Sequence, residues 1–481
     1  MPKLADLIGR TGAANPVITG VTCDSRKVLP GWLFAALAGT KADGSAFIAQ
    51  AVQNGAAAII VAPGTQSQWQ GNAVLIEDDT PRHAYALACA AFFGRQPAVM
   101  VAITGTNGKT SGVTFTRQLW LTLGLRAASL GTLGIVAEGL PPRPSLTTPD
   151  PADLHAALAQ LADGGITHAA MEASSHGLDQ HRLDGVKLQA AAFTNLTRDH
   201  LDYHGSMASY LAAKLRLFSD LLPADGVAVL NADCDVAAQV AAAAGNRRQI
   251  SFGQRGADLI IKDLTPDPCG QVLDLDVFGQ AIRVRLPLAG TFQAANALTA
   301  LGLAIGCGAN AVAATQALES LTEIPGRLQK VGEIAGAAVF VDYAHTPDAL
   351  QTVLAALRPH TSGRLVVVFG CGGDRDAGKR PQMGEIAVRL ADKVIVTDDN
   401  PRSEDPALIR AAILAAATAA TEIADRGAAI AQAIAGLRNG DVLVVAGKGH
   451  ESGQIIGTQT LPFDDAQECR KAILALSGGA S

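Results

Sequence analysis

The sequence feature that most constrains the fold is a glycine-rich loop placed between an apolar run and a helix-compatible stretch. Residues 99–104 are apolar and predict a buried strand, and residues 110–123 are compatible with a helix. Gly105 and Gly108 allow a tight turn in which successive N–H groups point inward at phosphate oxygens. The start of the helix adds a partial positive charge. The sequence therefore predicts a phosphate-binding loop.

The loop follows the pattern G-x-x-x-x-G-K-[ST] except at its first position, where Ile103 replaces glycine. Lys109 can reach the β- and γ-phosphates, and the Thr110 hydroxyl can ligate Mg²⁺. The alternative is a glycine-rich turn with a solvated lysine, which the preceding strand and following helix disfavour. We expect ATP and Mg²⁺ to bind, with these loop residues in contact: Gly105, Thr106, Asn107, Gly108, Lys109, Thr110 and Ser111.

Strands and helices alternate along the rest of the chain, which predicts α/β domains with parallel sheets. The stretches Gly94-Arg-Gln-Pro97 and Pro325-Gly-Arg327 read as boundaries. We expect three domains: a mixed α/β domain at 1–97, a parallel-sheet ATPase domain at 98–325 and a doubly wound, Rossmann-like domain at 326–481. Apolar runs predict later strands near 169–173, 190–194, 227–230, 339–342, 365–369, 394–397 and 442–445.

Composition excludes several classes of protein. Hydrophobic residues make up 48% and charged residues 17%, which favours packed cores over disorder. A net charge of −6 and 4% aromatics disfavour nucleic-acid binding. No long apolar stretch and no signal-like N-terminus are present, so we expect a cytoplasmic protein without a membrane partner. The seven scattered cysteines form no C-x-x-C pair, which argues against a disulfide framework or a zinc ribbon.

The loop T-G-T-N-G-K-T at 104–110 resembles the ATP loop of the Mur ligase family, which joins amino acids to UDP-linked muramoyl precursors of peptidoglycan. The resemblance covers essentially the whole chain and is strongest to the ligases that add the third residue of the stem peptide. It implies an ATP-dependent ligase that forms an amide through an acyl phosphate. The further motifs that carry it occur in the expected order at 24–26, 43–44, 147–149, 171–177, 195–205, 342–347 and 372–376.

The resemblance also implies the catalytic centre. Lys109 would handle phosphate, Glu172 and His200 would bind Mg²⁺ together with a hydroxyl of Thr110 or Ser111, and Lys214 would be carbamylated by CO₂ to ligate a second Mg²⁺. Taken alone, His200 could equally be a buried histidine bonded to backbone, and Lys214 a surface lysine of an amphipathic helix.

Substrate contacts follow from the same resemblance. Asn296, Arg327 and Asp342 would complete the ATP site. Hydroxyl and amide groups suit uracil, ribose and N-acetyl groups, and Arg182 suits a pyrophosphate or carboxylate, although each residue alone could serve ordinary turn or capping chemistry. The implied contacts of the UDP-muramoyl dipeptide are Cys23, Ser25, Thr40, Lys41, Ala42, Thr147, Thr148, Ser174, Gln180 and Arg182.

The segment Asp399-Asn-Pro-Arg402 follows a predicted strand at its carboxyl end, where open α/β sheets present ligands. In the resembling family, D-N-P-R is the signature of meso-diaminopimelate, whose extra carboxylate a planar guanidinium can hold with two hydrogen bonds. The alternative is a turn after a strand. The implied pocket comprises Arg375, Asp399, Asn400, Pro401, Arg402, Gly447 and Glu451.

Two other functions remain open from the sequence. A folylpolyglutamate-type synthetase would share the loop and the modified lysine, but residues 1–97 count against it because that class should lack a uridine domain. A non-catalytic nucleotide sensor is disfavoured by the retained Lys109, Glu172, His200, Lys214 and Arg375. We expect a monomer that acts on small molecules.

Overall fold

The computed structural model describes residues 1–9, 14–39, 43–65, 71–267 and 270–477. The chain forms three α/β units, each built on its own sheet. In the N-terminal unit four parallel strands lie in the order β1-β2-β3-β4. Its elements are α1 (Leu4–Ile8), β1 (Gly20–Thr22), β2 (Trp32–Ala35), α2 (Ile48–Gln53), β3 (Ala58–Val61), β4 (Val74–Glu77) and α3 (Pro81–Phe93).

The central unit carries an 11-stranded sheet in the order β15-β14-β13-β12-β11-β10-β5-β9-β6-β7-β8. Its elements are β5 (Val99–Thr104), α4 (Lys109–Thr122), β6 (Ala127–Gly131), β7 (Gly134–Ala137), β8 (Leu140–Arg143), α5 (Pro151–Asp163), β9 (His168–Glu172), α6 (Ser175–Asp179), β10 (Ala190–Phe193), α7 (Leu201–His204), α8 (Met207–Arg216), β11 (Val227–Asn231), α9 (Ala237–Ala244), β12 (Arg248–Gly253), β13 (Leu259–Asp267), β14 (Gly270–Val277), β15 (Gln280–Leu286), α10 (Phe292–Gly306) and α11 (Ala311–Gln316).

The strand that leads into the phosphate loop, β5, lies in the middle of this sheet between β10 and β9. Alanine-rich neighbours such as Ala170 and Ala191 are fully buried, so helices pack closely on both faces. The expected parallel sheet is present from β13 to β6, but antiparallel strands extend it at both edges. The hairpin β14–β15 turns at Phe278 and Gly279, both with positive φ.

The C-terminal unit has a six-stranded sheet in the order β16-β17-β21-β18-β19-β20, parallel except for the edge strand β16, and a separate hairpin β22–β23. Its elements are β16 (Gln329–Ile334), β17 (Ala337–Asp342), α12 (Pro347–Leu357), β18 (Leu365–Phe369), α13 (Lys379–Leu390), β19 (Lys393–Val396), α14 (Pro406–Leu414), β20 (Thr421–Glu422), α15 (Arg426–Ala435), β21 (Val442–Ala446), β22 (Gly453–Ile456), β23 (Gln459–Pro462) and α16 (Asp465–Ser477).

The three-unit α/β architecture confirms the predicted fold class. Within the described ranges, no helix has both the length and the apolar character needed to cross a bilayer. The alanine-rich stretch 411–420 is helical only at its start: α14 ends at Leu414, turns follow, and Ala417 is fully buried.

Candidate active site

The phosphate loop has the backbone that its glycines predict. Gly105 and Gly108 adopt φ values of 142° and 86°, and a Cβ on either would collide with side chains of Thr194 or Asn296. The ammonium of Lys109 donates to the carbonyls of Gly105 at 3.0 Å and Thr106 at 2.7 Å. Burial of this ammonium lowers its pKa, although the charge of Glu172 opposes the effect. The side chain of Lys109 therefore folds back onto the backbone of the loop.

Glu172 connects the loop to the neighbouring strand and, through Thr110, to the C-terminal unit. Its carboxylate is buried at the end of β9 and accepts from the Thr110 hydroxyl at 3.0 Å and the Thr132 amide at 2.8 Å. The guanidinium of Arg327 donates to the same Thr110 hydroxyl at 3.3 Å. A carboxylate, a hydroxyl and a cation from two units thus converge at the first turn of α4, and we call this set the Thr110 junction.

Lys214 lies on the other side of the loop. It is 1% exposed, so the alternative of a surface lysine is wrong. Its ammonium donates to the Gly105 carbonyl at 2.7 Å and lies 4.4 Å from the ring centre of Tyr210. Burial, together with repulsion from Lys109, holds the pKa of Lys214 well below its usual value. Lys109 and Lys214 therefore donate to the same carbonyl oxygen, that of Gly105.

His200 is positioned close to this group by an unusual backbone. It has a φ of 52°, in the left-handed region, and its ring centre is 6.1 Å from that of Tyr210 and 4.9 Å from that of His176. Its side chain is about half exposed and lies 3.4 Å from the Asp199 carboxylate, so it is not a buried histidine bonded to backbone. The imidazole is accessible to a ligand.

The C-terminal unit closes one side of the loop. Asp342 accepts backbone hydrogen bonds from Leu328 at 2.6 Å and Ala344 at 2.8 Å, and burial raises its pKa to about 6. These bonds fix the turn that carries Arg327, whose guanidinium stacks 4.5 Å above the Tyr343 ring. The Asn296 amide packs against Gly108 from the central unit.

A cavity of about 450 Å³ lies where the N-terminal unit meets the central unit. Arg82 and Thr80 line it from one side, and Asp179 and His181 line it from the other. Ser25 does not line this cavity; it is buried in the N-terminal unit and donates to Gln50 at 2.8 Å. Thr40, Lys41 and Ala42 lie outside the described residues.

The remaining nucleotide-substrate candidates form a connected polar network. Arg182 donates to the Thr148 carbonyl at 2.8 Å and to the Gln180 amide oxygen at 2.7 Å. The Thr148 hydroxyl accepts from the Ser174 amide at 3.0 Å, and Thr147 lies 3.0 Å from Thr132. This places the network directly beside the strand that ends at Glu172.

Cys23 belongs to the same interface, and its thiol contacts protein. Its thiol donates to Asp150 at 3.2 Å, and the hydroxyl of Tyr85 donates to the other oxygen of that carboxylate at 2.9 Å. Burial, with the charge of Asp150 second, raises the pKa of the Cys23 thiol to about 12. The residue therefore links the N-terminal unit to the central one as a neutral thiol.

The D-N-P-R segment forms a compact group with the loop after β21. The Asn400 amide donates to Glu451 at 2.9 Å and accepts from Lys448 at 2.9 Å. Arg402 has a φ of 52° and donates to the Gly373 carbonyl at 2.7 Å. The structure brings together Asp399, Asn400, Pro401, Arg402, Gly447 and Glu451, and it leaves Arg375 exposed on the loop before α13.

Sequence reasoning missed several residues of the site. Thr132 binds Glu172 with its backbone amide, which no side-chain motif reveals. Asp348 on α12 accepts from the loop residue Asn107 at 3.1 Å across the two units. Lys448 is fully buried against Glu451. Of these three, only Lys448 had a sequence signal, because it lies between the predicted pocket residues Gly447 and Glu451.

Comparison with protein families accounts for most of the chain. A model described as "Mur ligase family, catalytic domain" matches residues 17–93, one described as "Mur ligase middle domain" matches 103–304, and one described as "Mur ligase, glutamate ligase domain" matches 326–449.

Curated relatives match over nearly their full length. The UDP-N-acetylmuramoyl-L-alanyl-D-glutamate–2,6-diaminopimelate ligase of Caulobacter vibrioides is 57% identical over 480 residues, which cover 98% of each chain. The ligase of the same name from Rhizobium meliloti is 55% identical, covering 98% of this chain and 99% of its own.

Solved structures agree with this similarity. A ligase of the same name is 35% identical with a TM-score of 0.73 and covers 99% of both chains. A folylpolyglutamate synthase of Mycobacterium tuberculosis in complex with ADP shares the fold at 21% identity and a TM-score of 0.62, covering 79% of this chain and 93% of its own. The family models and these full-length similarities together show that the chain belongs to the Mur ligase family.

Proposed function

We propose that the chain is an ATP-dependent ligase that adds meso-diaminopimelate to UDP-N-acetylmuramoyl-L-alanyl-D-glutamate in peptidoglycan precursor synthesis. Seven relatives at 52–57% identity carry this activity in their names. The observation that carries the proposal is the Thr110 junction, where a phosphate loop, a buried carboxylate and an arginine of the C-terminal unit meet.

In the first step, the dipeptide carboxylate attacks the γ-phosphorus of ATP, the bond to ADP breaks, and an acyl phosphate forms. Several anionic groups must approach one another, so cations have to be fixed around them. Lys109 supplies one from the loop, and Arg327 supplies another from the C-terminal unit. Because Arg327 reaches Thr110 from a different unit, closure of the two units would assemble the site.

The donor set at the loop fits Mg²⁺. Glu172 offers carboxylate oxygens, Thr110 and Ser111 offer hydroxyls, and His200 offers an accessible imidazole. Oxygen ligands are those that Mg²⁺ prefers. When bound, Mg²⁺ supplies charge neutralisation for the phosphates.

Lys214 fits only in a modified form, because an ammonium cannot ligate a cation. Burial lowers the pKa of this amine and so favours its neutral form, and a neutral amine can add to CO₂ and lose a proton to give a carbamate. We propose that this carbamate replaces the cation beside Gly105 with an anion able to hold a second Mg²⁺.

The nucleotide substrate would occupy the 450 Å³ cavity and the network around Arg182. The cavity opens between the N-terminal and central units, and the network leads from it to Glu172. A substrate laid along this line would have its uridine end in the cavity and its carboxylate at the metal centre. Cys23, Ser25, Thr147, Thr148, Ser174 and Gln180 are proposed to hold it.

In the second step, the amine of diaminopimelate attacks the acyl carbon, phosphate leaves, and the amine loses a proton. Arg402 keeps guanidinium N–H groups beyond the one bound to Gly373, and these can hold the distal carboxylate. Glu451 is already bound to Lys448 and Asn400, so its second oxygen is the one available to a substrate ammonium. Arg375 would close over the bound amino acid from its exposed loop.

A folylpolyglutamate-type activity has less support. The synthase of that class shares only the fold at 21% identity, and it covers 79% of this chain. We therefore assign residues 1–97, 98–325 and 326–481 to nucleotide-substrate, ATP and amino-acid domains, and propose a cytoplasmic monomer.

The proposal is tested by the substrate dependence of ADP release. The chain should release ADP rapidly only when the UDP-muramoyl dipeptide and meso-diaminopimelate are both present with ATP and Mg²⁺. A matched reaction with a pteroyl glutamate acceptor should show no release above background. Rapid ADP release with that acceptor, and none with the muramoyl dipeptide, would contradict the proposal.

A further inference from the structure

Asp184 lies at the point where the N-terminal unit, the nucleotide cavity and the helix of Lys214 meet. It is 1% exposed, and its Oδ2 atom lies 2.6 Å from Nδ1 of His83 and 2.7 Å from Nδ1 of His181. Nη2 of Arg216 lies 3.4 Å from the same oxygen. The other oxygen, Oδ1, is buried and has no hydrogen-bond partner among the described residues. One oxygen atom thus has three partners: one on α3, one in the turn after α6 and one on α8.

These contacts fix the orientation of the His181 ring. Nδ1 of His181 lies 2.7 Å from Oδ2 of Asp184, so this edge of the ring faces the carboxylate and Nε2 lies on the opposite edge. His181 has a φ of 57° and lines the 450 Å³ cavity. A left-handed backbone and a buried carboxylate therefore hold the imidazole at the wall of the cavity.

The same carboxylate reaches the helix that carries Lys214. Arg216 lies two residues beyond Lys214 on α8, and it also donates to the Leu178 carbonyl and to Asp220 at 3.0 Å. Leu178 belongs to α6, directly before the network of Gln180 and Arg182. Rotation of α8 about its axis would break these contacts, so the Asp184 group holds the end of the helix that presents Lys214.

A metal ion is a poor occupant for this cluster. The two imidazoles and the carboxylate lie close enough together to ligate one. However, the Arg216 guanidinium is 3.2 Å from Nδ1 of His181 and 3.4 Å from Asp184, and a dication there would be repelled. Burial raises the pKa of Asp184, but the hydrogen bonds from His181 and His83 and the charge of Arg216 outweigh it, so the net shift is downward. The carboxylate is thus ionised and already neutralised.

We propose that Asp184 is a positioning residue that holds the His181 imidazole against the nucleotide substrate and, through Arg216, seats the helix that presents Lys214. The inference rests on the proposed function, since it assumes that a nucleotide substrate occupies the cavity. It adds that binding of this substrate and alignment of the catalytic lysine depend on one buried carboxylate.

The test separates KM from kcat. His181→Ala removes the cavity contact and one partner of Asp184, while Arg216 keeps its own contact to Asp184, and it should raise KM for the UDP-muramoyl dipeptide about tenfold, with kcat within about twofold. Arg216→Gln removes the charged contact between α8 and Asp184, together with the contacts of the guanidinium to Leu178 and Asp220, and should lower kcat about tenfold with little change in KM. Asp184→Asn keeps the size of the side chain, removes its charge, and should do both. KM for ATP should stay within about twofold in the His181 variant.

The matched control is Asp163→Asn. Like Asp184, Asp163 pairs with a basic side chain of the N-terminal unit, Arg95 at 2.6 Å, but here both side chains are largely exposed. Its KM and kcat should equal those of the wild-type chain. An Asp184→Asn variant that melts at a lower temperature but keeps wild-type KM and kcat would overturn the inference.

Two further outcomes, an Asp184→Asn variant that does not fold and a wild-type chain that does not ligate, need other measurements. If Asp184→Asn does not fold, an unchanged KM in His181→Ala overturns the inference by itself. If the wild-type chain forms no amide product, the proposed function is wrong. Calorimetric titration with the UDP-muramoyl dipeptide then still tests whether His181 contributes to binding of this substrate. An about tenfold weaker Kd in His181→Ala supports it, and an unchanged Kd overturns it.

Discussion

Removal of one carboxylate beneath the amino-acid site should destabilise the C-terminal unit strongly. Arg426 and Asp465 are both 0% exposed and form two parallel hydrogen bonds of 2.7 Å. The guanidinium also donates to the Ala446 carbonyl at 3.0 Å and to the Asp398 carbonyl at 3.3 Å. These carbonyls directly precede Gly447 and Asp399, so the ion pair supports both loops of the proposed diaminopimelate pocket.

The magnitude follows from burial. Burial lowers the pKa of Arg426, but the charge of Asp465 and its hydrogen bonds more than offset this, and the net shift is upward. In Asp465→Ala the guanidinium stays charged and loses its partner, which costs about 3–5 kcal/mol. For a unit of this size that corresponds to a fall of about 6–20 °C in melting temperature.

Calorimetry of the purified variants measures this effect. Glu468→Ala is the control on the same helix, because its exposed pair with Lys471 should contribute less than about 1 kcal/mol. The double variant Arg426→Met/Asp465→Leu should recover most of the lost stability, since no buried charge remains. KM for diaminopimelate should rise in Asp465→Ala. An Asp465→Ala protein that melts within about 2 °C of the wild type would refute the reasoning.

Three further changes test the site. Lys214→Ala should be inactive and partly rescued by millimolar acetate or formate, which replace the missing anion; activity without any added anion would contradict a ligand role. Arg402→Ala should lose most ligation of diaminopimelate, by a factor of about 10³ or more, while calorimetric binding of the UDP-dipeptide stays nearly unchanged. Asp342 has a folded pKa of about 6, above its unfolded value, so its contribution to stability is greatest at acid pH and is lost as pH rises through 6. The melting temperature of the wild type relative to Asp342→Asn should therefore fall between pH 4 and pH 7, and a constant difference would show that Asp342 does not titrate there.

Local patterns predicted the elements that depend on local chemistry. The strand before the phosphate loop spans Val99–Thr104 as its apolar run indicates, and Leu365–Phe369 is likewise a fully buried strand. Such strands lie inside parallel sheets, where both faces are covered and the sequence is continuously apolar. Gly270–Val277, by contrast, has the alternating pattern of an antiparallel strand and lies between β13 and the edge strand β15, and these antiparallel strands were not predicted from the sequence.

Contacts between distant parts of the chain could not be predicted in the same way. Asp184 has no motif of its own, and its partners are His83, 101 residues earlier in the chain, and Arg216, 32 residues later. Asp348 contacts Asn107 across 241 residues. Burial of Lys214 could not be predicted either, because its helix is amphipathic and tertiary packing decides which side of the helix faces the phosphate loop. These contacts depend on how distant parts of the chain pack together, and no local sequence pattern predicts that packing.

The most direct test of the central claim is a panel of amino acids with the mass of the product measured. With ATP, Mg²⁺ and the UDP-muramoyl dipeptide, the chain should form a product heavier by one diaminopimelate residue, together with one ADP and one phosphate per bond. L-Lysine, which lacks the distal carboxylate, should react at least about 10³-fold less efficiently. Equal ligation of L-lysine would contradict the assigned specificity, and no amide product with any amino acid of the panel would contradict the ligase itself.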